Sequence, residues 1–434
     1  MSELTVGQKI LMLRNHHGVS QEVLRSIIKV RPDKIVNVEK GRDEYTEAQV
    51  YKIKQYFNIQ GLPLSERERT VFRNKLYYMR DLIRARRMDE AKAIRDGIVN
   101  IKNLEPCDFD MVMLYKMIEA QMFIVEGLYI IAEDMLSSAE KYLLQMNPEC
   151  LYHYHYNKGV LAFCLEQCND AFVHLMEAYE RLSVHENLLP KDDMRLFLNI
   201  GNCCTYLEFI HKAIFFLMRA KHMRGDDMIA NIDFDIDYLL AVNYIRINEL
   251  SEAEKIVKKS LVKAESRGDN SLIALCMQCY GDMNKKAGKW ARAIDYYDKS
   301  LMIFEEYSDG YYRSLHRRAF CLIKSKAFSK ARLAVDQANT KCDANKSWFI
   351  CFKALDHHLY IASHMTLRNK ESCDYLENVA CPYFIENDDH LTALEHYELL
   401  DAYYERSGNR NDVLRVRKAI DAIYKRCFAN RVDV

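Results

Sequence analysis

The sequence predicts an all-α protein, with a short N-terminal bundle of helices followed by a right-handed superhelical solenoid of repeated helix pairs. Three observations carry this reading. Only six prolines and fourteen glycines interrupt 434 residues, against the roughly 5% and 7% usual in globular proteins. Small residues recur in trios spaced twelve and seven apart, as in Gly281, Ala293 and Ser300. The middle members of these trios return about every 40 residues. Antiparallel helices approach closely only where small side chains line the contact, so this spacing suits a stack of helical hairpins.

Bulk composition narrows the function classes. Hydrophobic residues make up 49% and charged residues 29% of the chain, as in a folded soluble protein. Lys plus Arg and Asp plus Glu both number 62. Whole-chain charge therefore gives no footprint for nucleic acid, and only a local patch can supply one. Charges run through the apolar residues of MSELTVGQKILMLRNHHG, which predicts no signal peptide. No run approaches the roughly 20 apolar residues of a membrane span, so no membrane partner is expected. The fourteen cysteines read as reduced thiols of a cytoplasmic protein. Cys276 and Cys279 form C-x-x-C, and Cys164 and Cys168 are four apart. Both pairs sit inside helical patterns without a second pair, so they read as small core hydrophobes, and no metal or cofactor is expected. No Walker loop, zinc motif or nucleophile elbow is present, and His153, His155, His357 and His358 lack partners at catalytic spacing. The chain is not expected to be an enzyme.

Residues 1–62 read as four or five short helices. Val6, Ile10 and Leu13 fit one face of the first helix, which Gly18 ends. Ser20 caps the second, with Val23, Leu24 and Ile27 inward. Pro32 suits the first turn of a third helix, with Ile35 and Val38 inward and Gly41 closing it. Thr46 starts a fourth, bearing Val50, Ile53 and Phe57. The segments VSQEVL (19–24) and IVNVEKG (35–41) resemble the helix-turn-helix of Xre and Cro type repressors. The resemblance implies that the helix around Pro32 to Glu39 enters the major groove of double-stranded operator DNA. Arg31, Pro32, Asp33, Lys34 and Asn37 would then face DNA, and Ser20 and Gln21 would touch phosphate. Two positions depart from the family pattern: Arg25 stands where Ala is usual, and Lys29 where Gly is usual. Net charge over residues 1–65 is +3, from ten Lys and Arg against seven Asp and Glu.

From residue 63 to 434 one unit repeats. A basic helix from Ser65 through Arg87 opens the region, and its arginines read as a solvated face or an extension of a DNA footprint. The trios then run Ala120/Ala132/Ala139, Gly159/Ala171/Ala178, Gly201/Ala213/Ala220, Ala241/Ala253/Ser260, Gly281/Ala293/Ser300 and Ala319/Ala331/Ala338. Ala91 fits the middle slot of an earlier unit, and Ser372 and Val413 fit two degenerate later ones. About nine hairpins result, in the register of the tetratricopeptide repeat. In that fold the first helix of each pair lines a concave groove suited to an extended peptide. By register, Asn157, Asn199 and Asn202 face the groove, with Asn243 one position further round. An Asn amide carries donor and acceptor and can clamp a peptide backbone, although it also serves ordinary interhelix bonds. Arg246, Lys286, Arg313 and Arg317 would hold an acidic side chain or carboxyl terminus, and Tyr238 would supply apolar contact. Arg195 and Lys285 share the cationic register, with Asp235 and Asp282 as counter-charges.

An Xre-like head joined to about nine such units resembles the Rap, NprR, PlcR and PrgX superfamily of quorum-sensing regulators, and is most similar to the NprR branch. The resemblance implies a cytosolic homodimeric transcription regulator whose affinity for a palindromic operator is set by a short linear signalling peptide. The alternative it allows is a Rap-like module that binds a response regulator and inhibits it or promotes its dephosphorylation, with a head that no longer binds DNA.

Overall fold

The computed structural model describes residues 5–59, 61–98, 108–184, 193–223, 230–339, 347–364, 370–387 and 389–429, and every regular element among them is helical. The chain divides into two compact units, Met1–Leu239 and Leu240–Val434.

The first unit begins with four short helices: α1 (Val6–His16), α2 (Gln21–Ile28), α3 (Pro32–Glu39) and α4 (Glu47–Tyr56). Their ends follow from sequence chemistry. Thr5 with Gln8, and Thr46 with Gln49, form reciprocal capping boxes. Ser20 caps α2 through the Val23 amide, and Pro32 occupies the first turn of α3, where its missing N–H costs nothing. These helices share a core of Ile10, Leu13, Leu24, Ile28, Ile35, Val38, Tyr45, Ile53 and Ile59. Two residues expected inward are not: Val6 is 44% and Val23 41% exposed. The buried stripe of α2 runs through Leu24 and Ile28, which leaves Val23 about 100° round the helix.

Paired helices follow, an inner one and then an outer one. They are α5 (Glu66–Arg84) with α6 (Met88–Asp96), α7 (Phe109–Val125) with α8 (Tyr129–Glu140), α9 (Pro148–Cys164) with α10 (Cys168–Val184), and α11 (Asp193–Tyr206) with α12 (Ile210–His222). The pair α13 (Ala230–Arg246) and α14 (Leu250–Arg267) contains the division between units. The second unit continues with α15 (Asn270–Lys286) and α16 (Trp290–Leu301), α17 (Asp309–Lys324) and α18 (Phe328–Asn339), and α19 (Ser347–His364). The partner of α19 is one interrupted helix, α20 (Lys370–Tyr375), a π turn over Leu376–Ala380 and α21 (Cys381–Glu386). Pro382 has no N–H to bond back along the ladder, so the helix widens ahead of it. The last pair is α22 (His390–Ser407) and α23 (Arg410–Ala429).

All eighteen small residues of the six trios are buried. The reason is geometric. A methyl group added at Gly281 would lie 2.4 Å from the Tyr297 ring, and one at Gly159 or Gly201 would lie 2.7 or 2.6 Å from Leu175 or Leu217. The period is also written in the backbone. The turn inside each pair places one residue in the left-handed conformation: Arg86, Gly127, Glu166, Glu208, Asn248, Gly288, Lys326 and Gly408. Each stands five residues ahead of Ala91, Ala132, Ala171, Ala213, Ala253, Ala293, Ala331 and Val413 respectively. The corresponding turn before Ser372 falls at residues outside those described. No helix among the described residues is long and apolar enough to cross a membrane.

Candidate functional site

The bundle presents α3 with Arg31, Pro32 and Asp33 exposed, and Lys34 and Asn37 half-buried. What holds α3 in place is a buried ion pair. Glu39 accepts from Arg14 Nε at 2.9 Å and Nη2 at 3.2 Å, and from Gln21 Nε2 at 2.7 Å. One carboxylate thus ties α1 and α2 to α3, and it engages one of the residues expected at phosphate. Ser20 is exposed and caps α2. Lys34 Nζ pairs with Asp43 at 2.7 Å, so its charge is shared rather than fully offered outward. The two departures from the repressor pattern have different outcomes. Arg25 is exposed, so its bulk blocks no helix crossing. Lys29 takes φ 53°, the left-handed value that Gly adopts without strain.

The bundle is joined to the first pair by polar contacts. Lys9 Nζ meets both oxygens of Glu68 at 2.6–2.7 Å. Burial pushes the Glu68 carboxyl up, but Lys9 and the Ser65 amide and hydroxyl outweigh it and hold the group down at about 2. Asp108, buried at the head of α7, accepts from the Leu64 amide at 2.8 Å and pairs with Arg69 at 2.6 Å.

Within the first unit, α5 buries Arg80 and half-buries Arg69 and Arg84, while Arg67, Arg73 and Lys75 stay exposed. Tyr77 donates to Glu149 of α9 at 2.6 Å, and Arg80 is 5% exposed with its guanidinium 4.2 Å from the Tyr77 ring centroid. Arg84 lies 6.0 Å from the Tyr156 ring centroid. Arg195 of α11 reaches 111 positions back along the chain to donate to the Arg84 carbonyl at 3.2 Å. Asp235 of α13 completes the group. Its side chain meets solvent, yet desolvation raises its carboxyl pKa while Arg195 and Arg86 pull it down. Asn199 and Asn202 follow Arg195 at i+4 and i+7 on the same stripe of α11, both half-buried, and Asn199 donates to Tyr156 Oη at 3.1 Å. Tyr238 is half-buried on α13. Asn157 takes a different place. It is 1% exposed, and its Nδ2 donates to the Met117 carbonyl at 2.6 Å, tying α9 to α7. Sequence register identified Arg195, Asn199 and Asn202 but not Arg84 and Arg86. No local signal separates those two from the other arginines of α5.

The second unit gathers a carboxylate-centred group. Asp282 accepts from Tyr297 Oη at 2.7 Å and Arg317 Nη1 at 2.6 Å, with Lys285 Nζ at 3.7 Å. Beside it, burial and then Lys285 and Arg317 push His316 down to about 3. Arg313 bonds Asp309 on its own helix. Arg246 and Lys286 are exposed at the ends of α13 and α15, and Asn243 is fully buried.

No family model matches the chain. Among curated proteins it is 24% identical over 197 residues to the 43 kDa receptor-associated protein of the synapse from Tetronarce californica, a match spanning 44% of this chain and 47% of that protein. The chain thus spans less than half the length of the curated relatives it matches. Among solved structures, the apo form of the quorum sensor NprR from B. thuringiensis superposes with a TM-score of 0.68 at 20% identity, covering 81% of this chain and 98% of that one. NprR in complex with its cognate peptide NprX gives 0.62 at 19%, covering 81% and 99%. A Rap protein complexed with competence and sporulation factor gives 0.62 at 17%, covering 82% and 98%. At these identities the likeness establishes the fold: the chain is an all-α protein of tetratricopeptide-like repeats, built like NprR and the Rap proteins.

Proposed function

We propose that the protein is a quorum-sensing transcription regulator of the Rap, NprR, PlcR and PrgX type, with residues 1–62 as its DNA-binding domain and the repeats from 63 onward as a peptide receptor. The observation that carries the peptide reading is the group of Arg84, Arg86, Arg195, Asp235 and Asn199, exposed or half-buried. It joins cations to a carboxylate and an amide, the chemistry that orients a short peptide bearing an acidic group. NprR and a Rap protein, each solved with a bound peptide, share the fold. The DNA reading rests on the bundle, where the Arg14–Glu39 pair fixes α3 with Arg31 and Asn37 on its outer side. Two heads in a cytosolic homodimer would read half-sites one helical turn, or multiples of it, apart. Peptide binding would favour one arrangement of the inner helices and so change the spacing of the heads.

The test is fluorescence anisotropy with DNA from the gene's own promoter, with and without short peptides encoded beside it. Specific DNA binding that a peptide shifts at least fivefold, and that Arg195→Glu renders peptide-blind, supports the reading. Absence of both DNA and peptide binding in the folded protein would falsify it. A Rap-like response-regulator module is the second reading. It is favoured by the Lys34–Asp43 pair and by the hold of Glu39 on Gln21, both of which reduce what the bundle offers a phosphate. Under it, peptide binding persists while DNA binding is absent.

A further inference from the structure

The turns inside the helix pairs differ from one another in a patterned way. In most pairs the inner helix reaches its C-terminal end with a cation two residues before the left-handed turn residue: Arg84, Arg246, Lys286, Lys324 and Arg406. A cation there complements the partial negative charge of the helix end. Three consecutive pairs abandon it, with Val125, Cys164 and Tyr206 at that place. The same three turns carry carboxylates at or beside the left-handed residue: Glu166 and Glu208, where the helix dipole disfavours them, and Glu126, which pairs with Lys92 of the first pair. Glu166 and Glu208 additionally adopt φ 63° and 60°, a conformation that strains any residue with a Cβ. Lastly, apolar side chains stand in solvent here: Tyr206 at 62%, Leu128 at 44%, Phe209 at 40%, Leu165 at 38% and Val125 at 37%.

These residues form one continuous edge. The Tyr129 hydroxyl bonds Cys164 across the second and third pairs. Phe163 and Tyr206 meet at 5.3 Å, and Phe172 and Phe209 at 5.8 Å, across the third and fourth. Two adjacent turns, at Glu166 and Glu208, therefore forgo the helix-end cation, hold a carboxylate there and strain its backbone, and the neighbouring turn at Gly127 forgoes the cation, all beside exposed apolar side chains. Sites that forgo local stability in a consistent direction mark a function.

We propose that this edge docks a partner protein through an amphipathic helix with lysines or arginines along the margin of its apolar face. Packed helices lie about 10 Å apart, so the apolar anchors of successive turns repeat at that interval. Residues i and i+7 of a helix are separated by about 10.5 Å on one face, whereas an extended strand turns alternate side chains away. The row of Glu166 and Glu208 selects basic margins.

The probe is a synthetic 18-residue helix with Leu and Phe at heptad spacing and flanking lysines, beside a twin with glutamates for lysines. Anisotropy with the full chain is expected to give at least tenfold tighter binding of the lysine helix. Glu166→Lys with Glu208→Lys should invert that preference, and Leu128→Ser with Phe209→Ser should weaken the lysine helix at least tenfold. Glu208→Gly separates docking from structure: it should weaken the lysine helix about threefold while raising the urea midpoint. Equal affinity for the twins, or indifference to the paired variants with circular dichroism unchanged, overturns the proposal. So does sedimentation showing self-association that the same variants abolish, because the occupant would then be a second copy of the chain.

Discussion

Replacing Gly281 by Ala sets two effects against each other. Ala is favoured over Gly inside a helix by about 1 kcal/mol. The added methyl, however, would lie 2.4, 2.7 and 2.8 Å from three ring atoms of Tyr297. That ring is fully buried and cannot swing aside freely, because its hydroxyl donates to Asp282 at 2.7 Å. Overpacking a core costs about 1–3 kcal/mol, and giving up a hydrogen bond to a carboxylate costs about 1.5–3 kcal/mol. The net expectation is a loss of about 1.5–5 kcal/mol, read as a lowered urea midpoint by circular dichroism. Gly97 is the control. It lies at φ −74° with no neighbour nearer than 3.4 Å to an added methyl. Ala there should therefore stabilise by about 0.4–1 kcal/mol through the unfolded chain. In a Tyr297→Ala background the Gly281→Ala penalty should vanish, a coupling that a double-mutant cycle measures. A Gly281→Ala protein as stable as the parent would refute the claim that close helix approach sets the small-residue register.

Three further outcomes are expected. Glu39→Gln leaves the Arg14 guanidinium, with side-chain exposure of 13%, without its carboxylate. It should destabilise the bundle by about 3 kcal/mol, visible as faster hydrogen exchange in α1–α3 with the repeats unchanged. Lys29→Gly relieves the left-handed turn between α2 and α3 and should stabilise the bundle by about 0.5–1 kcal/mol in the same exchange experiment. His396 is 7% exposed with both ring nitrogens unbonded, and burial lowers it to about 4, with Asp389 opposing and His357 and Lys324 assisting. A folded pKa below the unfolded value near 6.5 means stability is fully present above pH 6.5 and is lost as pH falls towards 4. The loss amounts to about 3 kcal/mol from this residue. His396→Gln should flatten that part of the urea-midpoint profile.

Much of the architecture was legible in the chain because it is local. The twelve-and-seven register, the 40-residue period and the caps at Thr5, Ser20, Thr46 and Ser65 each depend on residues a few positions apart. The turn residues were harder to see, since five of the eight left-handed positions hold Arg, Glu, Asn or Lys rather than Gly. Register also misjudged depth. It gave Asn157 and Asn199 the same role, but the first is sealed between α9 and α7 and the second stays half-open on α11. The difference lies in how much of each inner helix its neighbours cover, which no spacing encodes.

The sequence by itself determined the all-α class, the pairing of helices and the small residues on which they pack, because helix formation and hairpin closure are short-range. Only the tertiary structure decided that Arg195 meets the backbone of Arg84, that Asp235 faces Arg86 and Arg195, and that three apolar turns form one edge. Arg84 and Arg195 stand in the first and fourth pairs and Asp235 in the fifth, and the apolar turns meet only between neighbouring pairs. Such contacts are a property of the packed stack, not of any stretch of the chain.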